Sequence, residues 1–228
     1  MLHGGGGVDP GFRPQLLAEA GGPRARVVLV PYASAVPENW QASLETWRRI
    51  GAEQVELLDV SSPGRAVEQV EQANLVWLGA GDQVRLVSAL AGMPVVEALR
   101  RRYRAGLTVA GISAGVAALS AVMITGEPAD ESTGATHVAP GLGLWPEVIL
   151  DQHVLARQRV ARLERAVLDH PGLVGVGVDE DTSVVVEHGR LLVVAGDSAA
   201  VVVRVVAGRV VTERVAAGAS HLLDVGLA

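Results

Sequence analysis

The chain has no cysteine. Disulfides, thiolate metal sites and cysteine nucleophiles are therefore excluded, and any covalent catalysis must run on oxygen or nitrogen. Aromatic residues are scarce, at 3%, and no basic run is interleaved with them; together with a formal net charge of -6 this argues against a nucleic-acid partner. No apolar run approaches the ~18 residues of a membrane span, and the N-terminus shows no charged segment followed by a secretory apolar core. The expectation is a cytoplasmic protein with no membrane partner. No long linker, heptad or internal repeat is visible. With 228 residues, 49% of them hydrophobic and 19% charged, the chain is expected to form a single domain over residues 1–228.

What the sequence does hold is centred on Leu107 to Val116, where an apolar run ends in Gly111-Ile-Ser113-Ala114-Gly115 and continues as a helical pattern. This is the sequence form of a nucleophile elbow: a strand delivers the serine to a sharp turn and a helix follows with its N-terminal amides near the reacting centre. Ser113 is the candidate nucleophile. The competing reading is that the small residues only let a strand and a helix pack closely.

In chain order, Gly4 to Gly7 either cradle an anion or make a tight turn; the spacing lacks the later glycine of a dinucleotide fingerprint, which favours the turn. A short helix is expected from Gly11 to Ala20. Arg26 to Val30, Gln54 to Leu58 and Asn74 to Leu78 read as apolar strands. Between them lie a helical pattern with Trp40, Leu44, Trp47 and Ile50 on one packing face, and a polar helix from Arg65 to Gln72. Apolar strands alternating with helices imply an α/β fold with a mostly parallel sheet and helices on both faces, whose sites lie beyond the C-terminal strand ends. Gly79-Ala-Gly81-Asp82-Gln83 follows one such end, so Gly81 can offer an oxyanion amide beside that of Ala114, with Asp82 as a helix cap. Gly126 to Gly134 is a polar loop expected to be mobile, and Gly141 to Pro146 a structured one. Val148 to Leu150 is a short strand leading to Asp151-Gln152-His153. Arg157, Arg159, Arg162 and Arg165 punctuate a helical segment through Leu168, and Val174 to Val178 is a strand ending in Asp179-Glu180-Asp181-Thr182. From Ser183 on, short strands separated by Gly-Arg and Gly-Asp turns form an antiparallel appendage.

A serine hydroxyl needs a base, and the base needs a third group to hold its tautomer. His153 and the acidic cluster Asp179 to Asp181 stand at strand ends after Ser113. His3, His137, His170, His188 and His221 fall in loops, turns or peripheral segments and read as solvated. The order Ser, His, acid excludes the α/β-hydrolase fold, which runs Ser, acid, His. Arg157, Arg159 and Arg162 cannot all share one helix face, since only residues three or four apart are neighbours. They recognise substrate carboxylates, or form a solvated face pairing with Glu164 and Asp169.

Taken together, Gly4 to Gly7, Gly81-Asp82-Gln83, the elbow, Gly141-Leu-Gly-Leu144, Asp151-Gln152-His153 with its arginines, and Asp179 to Thr182 resemble the cyanophycinase and peptidase E family of serine peptidases over nearly the whole chain. The resemblance implies a fold like class I glutamine amidotransferases, a flavodoxin-like three-layer architecture with C-terminal antiparallel strands, and a triad of Ser113, His153 and Glu180. It implies substrate contacts from Gln83, Asp151, Gln152, Arg157, Arg159 and Arg162 to an aspartate-containing peptide, no cofactor, no metal, and a homodimer. The Asp-Gln-His and spaced-arginine pattern is closer to the cyanophycinase branch, which cuts β-aspartyl-arginine linkages, than to the α-aspartyl dipeptidases. An esterase using the same triad and a catalytically silent binding protein are the other classes. Two departures from the family pattern are the mere three residues before the glycines and Val154 where an aromatic usually follows the histidine, which bears on substrate reach.

Overall fold

The computed structural model describes residues 1–7, 11–128 and 133–224. Residues 129–132 of the expected polar loop lie outside them. The chain runs β1 (Leu2–His3), α1 (Phe12–Glu19), β2 (Arg26–Val30), α2 (Pro37–Arg49), β3 (Gln54–Leu57), α3 (Pro63–Gln72), β4 (Leu75–Leu78), α4 (Gln83–Leu90), α5 (Pro94–Arg104) and β5 (Thr108–Ile112). It continues with α6 (Ala114–Ala117), β6 (Val122–Ile124), β7 (Val138–Pro140), β8 (Val148–Gln152), α7 (Val160–Asp169) and β9 (Val174–Val178). Five further strands follow: β10 (Thr182–Glu187), β11 (Leu191–Gly196), β12 (Ala199–Val206), β13 (Arg209–Ala216) and β14 (Ser220–Leu222). These elements form two compact units, Asp9–Gly115 and Met1–Val8 with Val116–Ala228.

In the unit Asp9–Gly115 the strands β5, β4, β2 and β3 lie side by side, all parallel. The registers Val30 with Leu78 and Leu78 with Gly111 bring three strand ends level, so the loops after β2, β4 and β5 leave from one edge. Helices connect the strands, as parallel crossovers require. Proline occupies the first turn of α2, α3 and α5, where its missing N–H costs no hydrogen bond. Arginines fill the last turns of α2 and α5, matching the negative end of the helix dipole. On the expected α2 face, Leu44 and Trp47 are buried while Trp40 and Ile50 are partly exposed. Trp47 meets Trp77 of β4 edge-on at 5.5 Å.

In the other unit, β8 and β9 are parallel, and β12 and β13 continue that sheet antiparallel. The strands β14, β11, β10 and β1 lie side by side and pair antiparallel throughout. The β12–β13 turn, Ala207-Gly208, holds both residues at positive φ, the turn geometry whose twist matches antiparallel strands. Helix α7 buries Leu163, Ala166 and Val167 against Ile149, Val154, Val201 and Val203. Val154 is thus a core residue. The structure also shortens the arginine-bearing helix. Residues 154–158 make turns, Gln158 has φ 54°, and α7 starts only at Val160, so Arg157 and Arg159 precede it.

Candidate active site

Ser113 sits between the last residue of β5 and the first of α6, half-buried, with φ 50°. A non-glycine residue in this region is strained and persists only where its surroundings enforce it. The enforcement is visible nearby: a Cβ on Gly115 would stand 2.3 Å from the carbonyl oxygen of Leu78, so the turn lies directly on the end of β4. The neighbouring loop is equally tight. Gly81 has φ 138°, a side chain there would meet the Ala33 carbonyl oxygen at 2.3 Å, and the Asp82 amide donates to that oxygen at 2.9 Å. Asp82 then caps α4 by accepting from the Arg85 amide at 2.9 Å, as its position before a helix suggests. Gln83, first residue of α4, is buried.

The parallel pair β8 and β9 ends level, Gln152 opposite Val178, so His153 and the acidic cluster follow side by side. His153 has φ 55° and is 5% exposed; its Nδ1 lies 2.5 Å from Glu180 Oε1. Burial is the strongest influence on the imidazole and lowers its pKa. The Glu180 hydrogen bond opposes this and the Arg157 charge reinforces it, leaving the group below its ordinary value of 6.5. Arg157 also places Nε 3.3 Å from the same carboxylate oxygen.

The two aspartates flanking Glu180 are engaged elsewhere. Asp179 accepts from the amides of Leu155 and Ala156, each at 2.9 Å, and from the Ser198 hydroxyl at 2.6 Å. Burial raises its carboxyl, but Ser198 and the surrounding amides outweigh burial and hold it below the usual carboxylate range. It therefore locks the turn after His153. Asp181 donates its amide to the Gly5 carbonyl at 2.8 Å, and its side chain lies against Gly6 and Gly7.

The N-terminal glycines pack against the histidine and the acidic cluster. A Cβ on Gly5, at φ 103°, would lie 2.2 Å from His153 Cε1. Glycine is required there because the backbone runs against the imidazole itself. His3, expected to be solvated, is 1% exposed in β1 and accepts the Gly5 amide at Nδ1. Its burial went unread because a two-residue strand is too short for any periodicity.

The arginines after His153 divide by role. Arg162 donates from Nε to Asp151 Oδ2 at 2.7 Å and from Nη2 to Oδ1 at 2.5 Å, and the Asp151 side chain is 0% exposed. The Gln152 amide takes Asp151 Oδ1 as well, at 2.8 Å. The resemblance gives both residues to substrate, whereas the structure gives them to each other, because a fully buried carboxylate needs its own counter-charge. Arg159 Nη1 donates to the backbone oxygen and to Oε1 of Gln152, at 3.1 and 2.8 Å, fixing that amide. The solvated pairing is found one turn on, where Arg165 meets Asp169 at 2.9 Å; Glu164 instead bonds Thr212. Among the described residues no group of three or more histidine or acidic side chains is placed to hold a metal ion, and no helix is long and apolar enough to cross a membrane.

Comparison with known proteins gives matches over most of the chain. The pattern of Peptidase family S51 matches residues 4–194. A cyanophycinase of Trichormus variabilis is 39% identical over 193 residues, covering 81% of this chain and 65% of the relative. One from Geminocystis herdmanii is 36% identical, covering 81% of this chain and 71% of the relative. This chain thus spans about 65% of the length of the first of these curated relatives. A peptidase E of Streptomyces coelicolor is 32% identical over 91 residues, 40% of this chain and 37% of that one. Among solved structures, a peptidase from an acI-B1 Actinobacterium aligns with TM-score 0.70 and 20% identity, covering 97% of this chain and 95% of that chain. A putative peptidase E of Listeria monocytogenes aligns at 0.55 and 15% identity, over 94% of this chain and 97% of that chain. These two show the fold: α/β, with parallel strands, connecting helices and additional antiparallel strands.

Proposed function

This chain belongs to peptidase family S51, and from that premise we propose that it is a serine-type peptidase cutting aspartyl peptide bonds, of the β-aspartyl-arginine kind, through an acyl-enzyme. The observation that carries this reading is the contact of the buried His153 ring with the partly exposed Glu180 carboxylate at 2.5 Å. A carboxylate on Nδ1 fixes the tautomer with Nε2 as acceptor and stabilises the imidazolium formed when a hydroxyl gives up its proton. In the proposed reaction Ser113 Oγ attacks the scissile carbonyl carbon and its proton passes to His153 Nε2. The negative oxygen is held by the amides of Gly81 and Ala114, an interaction commonly contributing about 3–4 kcal/mol per donor. The C–N bond then breaks as His153 returns the proton to the leaving amine. Water, deprotonated by His153, attacks the acyl-serine and releases the acid. Gln83, Gln152, Arg157 and Arg159 are the proposed substrate contacts. Asp151 and Arg162 are positioning residues: their ion pair holds the end of β8 from which Gln152 and His153 project.

A neutral His153 is the working form, so kcat/KM should fall on the acid side as it protonates. Because the folded pKa lies below 6.5, the acid limb is expected to have its midpoint below pH 6.5. Arg157→Gln removes a cation that lowers this pKa and frees Glu180 Oε1 from a second partner. The limb should then move to higher pH, while the plateau falls with the loss of a proposed substrate contact; the midpoint is the readout. A pH profile of both enzymes measures this; an acid limb unmoved by the substitution excludes His153 as its source.

The function is tested by labelling with a fluorophosphonate and by kcat/KM for β-Asp-Arg against α-Asp-Arg dipeptides. Labelling on Ser113 with preference for the β-linked dipeptide is the expected result. Preference for the α-linked one would assign the chain to aspartyl dipeptidase activity. Labelling without cleavage of either, with turnover of activated esters, would make it an esterase. No label and no turnover would overturn the hydrolase reading altogether.

A further inference from the structure

The unit Asp9–Gly115 contains a cavity of about 400 Å³ at the ends of β2, β4 and β5, within the ~300–1,000 Å³ typical of small-ligand sites. Its walls are mainly apolar, with Trp40 and Trp77 contributing aromatic surface and Gly81 at the rim beside the loop after β4. Arg13 is its only charged lining residue among those described. The guanidinium lies 5.0 Å from the centre of the Trp77 ring. Its Nε is buried with no hydrogen-bond partner, and no carboxylate among the described residues pairs with it.

This placement is unfavourable for folding on two counts. A cation in the first turn of α1 stands at the positive end of the helix dipole, and a partly buried charge without a counter-charge is costly. Burial accordingly lowers the pKa of Arg13 from its ordinary value, with no anion to offset it. The Trp77 face returns only part of that cost, since a single cation–π contact contributes about 0.5–2 kcal/mol.

We infer that this cavity is a binding subsite for a small carboxylate carried on an apolar body, with Arg13 as the anion receptor and Trp40 and Trp77 as the apolar wall. The guanidinium offers paired N–H donors whose fork matches a carboxylate, and the ligand's apolar part replaces water against the indole rings. The same charge repels a guanidinium, so the cavity does not seat an arginine side chain. The inference goes beyond the hydrolase reading and is measured without turnover, so either can fail alone.

The test is titration with 3-phenylpropionate and, in parallel, 3-phenylpropionamide, followed by calorimetry and by tryptophan fluorescence. The acid should bind about tenfold or more tightly than the isosteric amide, as an added charge-assisted hydrogen bond requires. Arg13→Met, which keeps the apolar stem, should bring the two ligands to the same weak affinity, and Arg13→Lys should keep a preference for the acid. Equal binding of acid and amide to the unsubstituted protein, a comparison that needs no variant to fold, would overturn the inference. So would an acid preference that survives Arg13→Met.

Discussion

Ser113→Ala and His153→Ala are each expected to reduce kcat on an aspartyl dipeptide by about four orders of magnitude or more, and the double variant to fall no further. The residual rate would come from bound substrate and fixed oxyanion donors, which neither substitution touches. Non-additivity is the informative part, because a nucleophile without its base and a base without its nucleophile fail at the same step. Alanine tolerates the left-handed backbone at Ser113 about as poorly as serine does, so the strain at φ 50° is unchanged and the thermal midpoint should hold. His153→Ala empties a 5%-exposed site and needs a folding control by circular dichroism. A double variant far below both singles would mean that the two residues serve separate steps. Glu180→Gln gives a third reading of the same unit, since an amide can still hold the ring but cannot stabilise its positive form. It should cost far more in kcat than Asp181→Asn, whose side chain faces the Gly6–Gly7 backbone.

How much of this was legible in the sequence follows from the range of each interaction. The elbow is local: an apolar strand, a small-residue turn and a helical pattern occupy ten consecutive positions, and β5, Ser113 and α6 appear where that stretch places them. The end of β9 was equally plain, because its apolar run stops at Asp-Glu-Asp, whereas β8 continues two residues past the apolar run, through the buried Asp151 and Gln152. The partnerships were not plain. Three consecutive acidic residues look alike on paper, and what separates them is long-range. Asp179 turns to the amides of residues 155 and 156 and to Ser198, Glu180 reaches the imidazole, and Asp181 meets the glycine run from the other end of the chain. The glycines read as a turn because their actual constraint, the ring of His153 against Gly5, is about 150 residues away in the chain. Arg13, in the first turn of α1, carried no motif at all; only the fold shows that it lines a cavity with no counter-charge among the described residues. Helical spacing misjudged Arg157 and Arg159 because Gln158 breaks the backbone at φ 54°, and no residue type there announces it.

Asp151→Ala should be the most destabilising single substitution in the region, by about 3–5 kcal/mol, because it strands a largely buried guanidinium. The Asp151 side chain is fully buried and Arg162 keeps 16% of its own exposed; two N–H groups of that arginine converge on the carboxylate. Removing the carboxylate leaves those donors without an acceptor and also takes away the acceptor of the Gln152 amide. Arg162→Met is the complementary change and leaves a buried carboxylate that must either protonate or recruit water. The double variant Asp151→Ala/Arg162→Met removes both charges together, so it should recover part of the stability lost in either single variant. Urea unfolding of the four proteins gives the coupling directly, with equal slopes required for the comparison. Activity should follow stability only in part: Gln152 and His153 hang from the strand end that this pair fixes, so the double variant should refold yet keep a reduced kcat with a little-changed KM. If the pair bound substrate instead of positioning the strand, the double variant would show a raised KM and the single variants would unfold at ordinary urea concentrations.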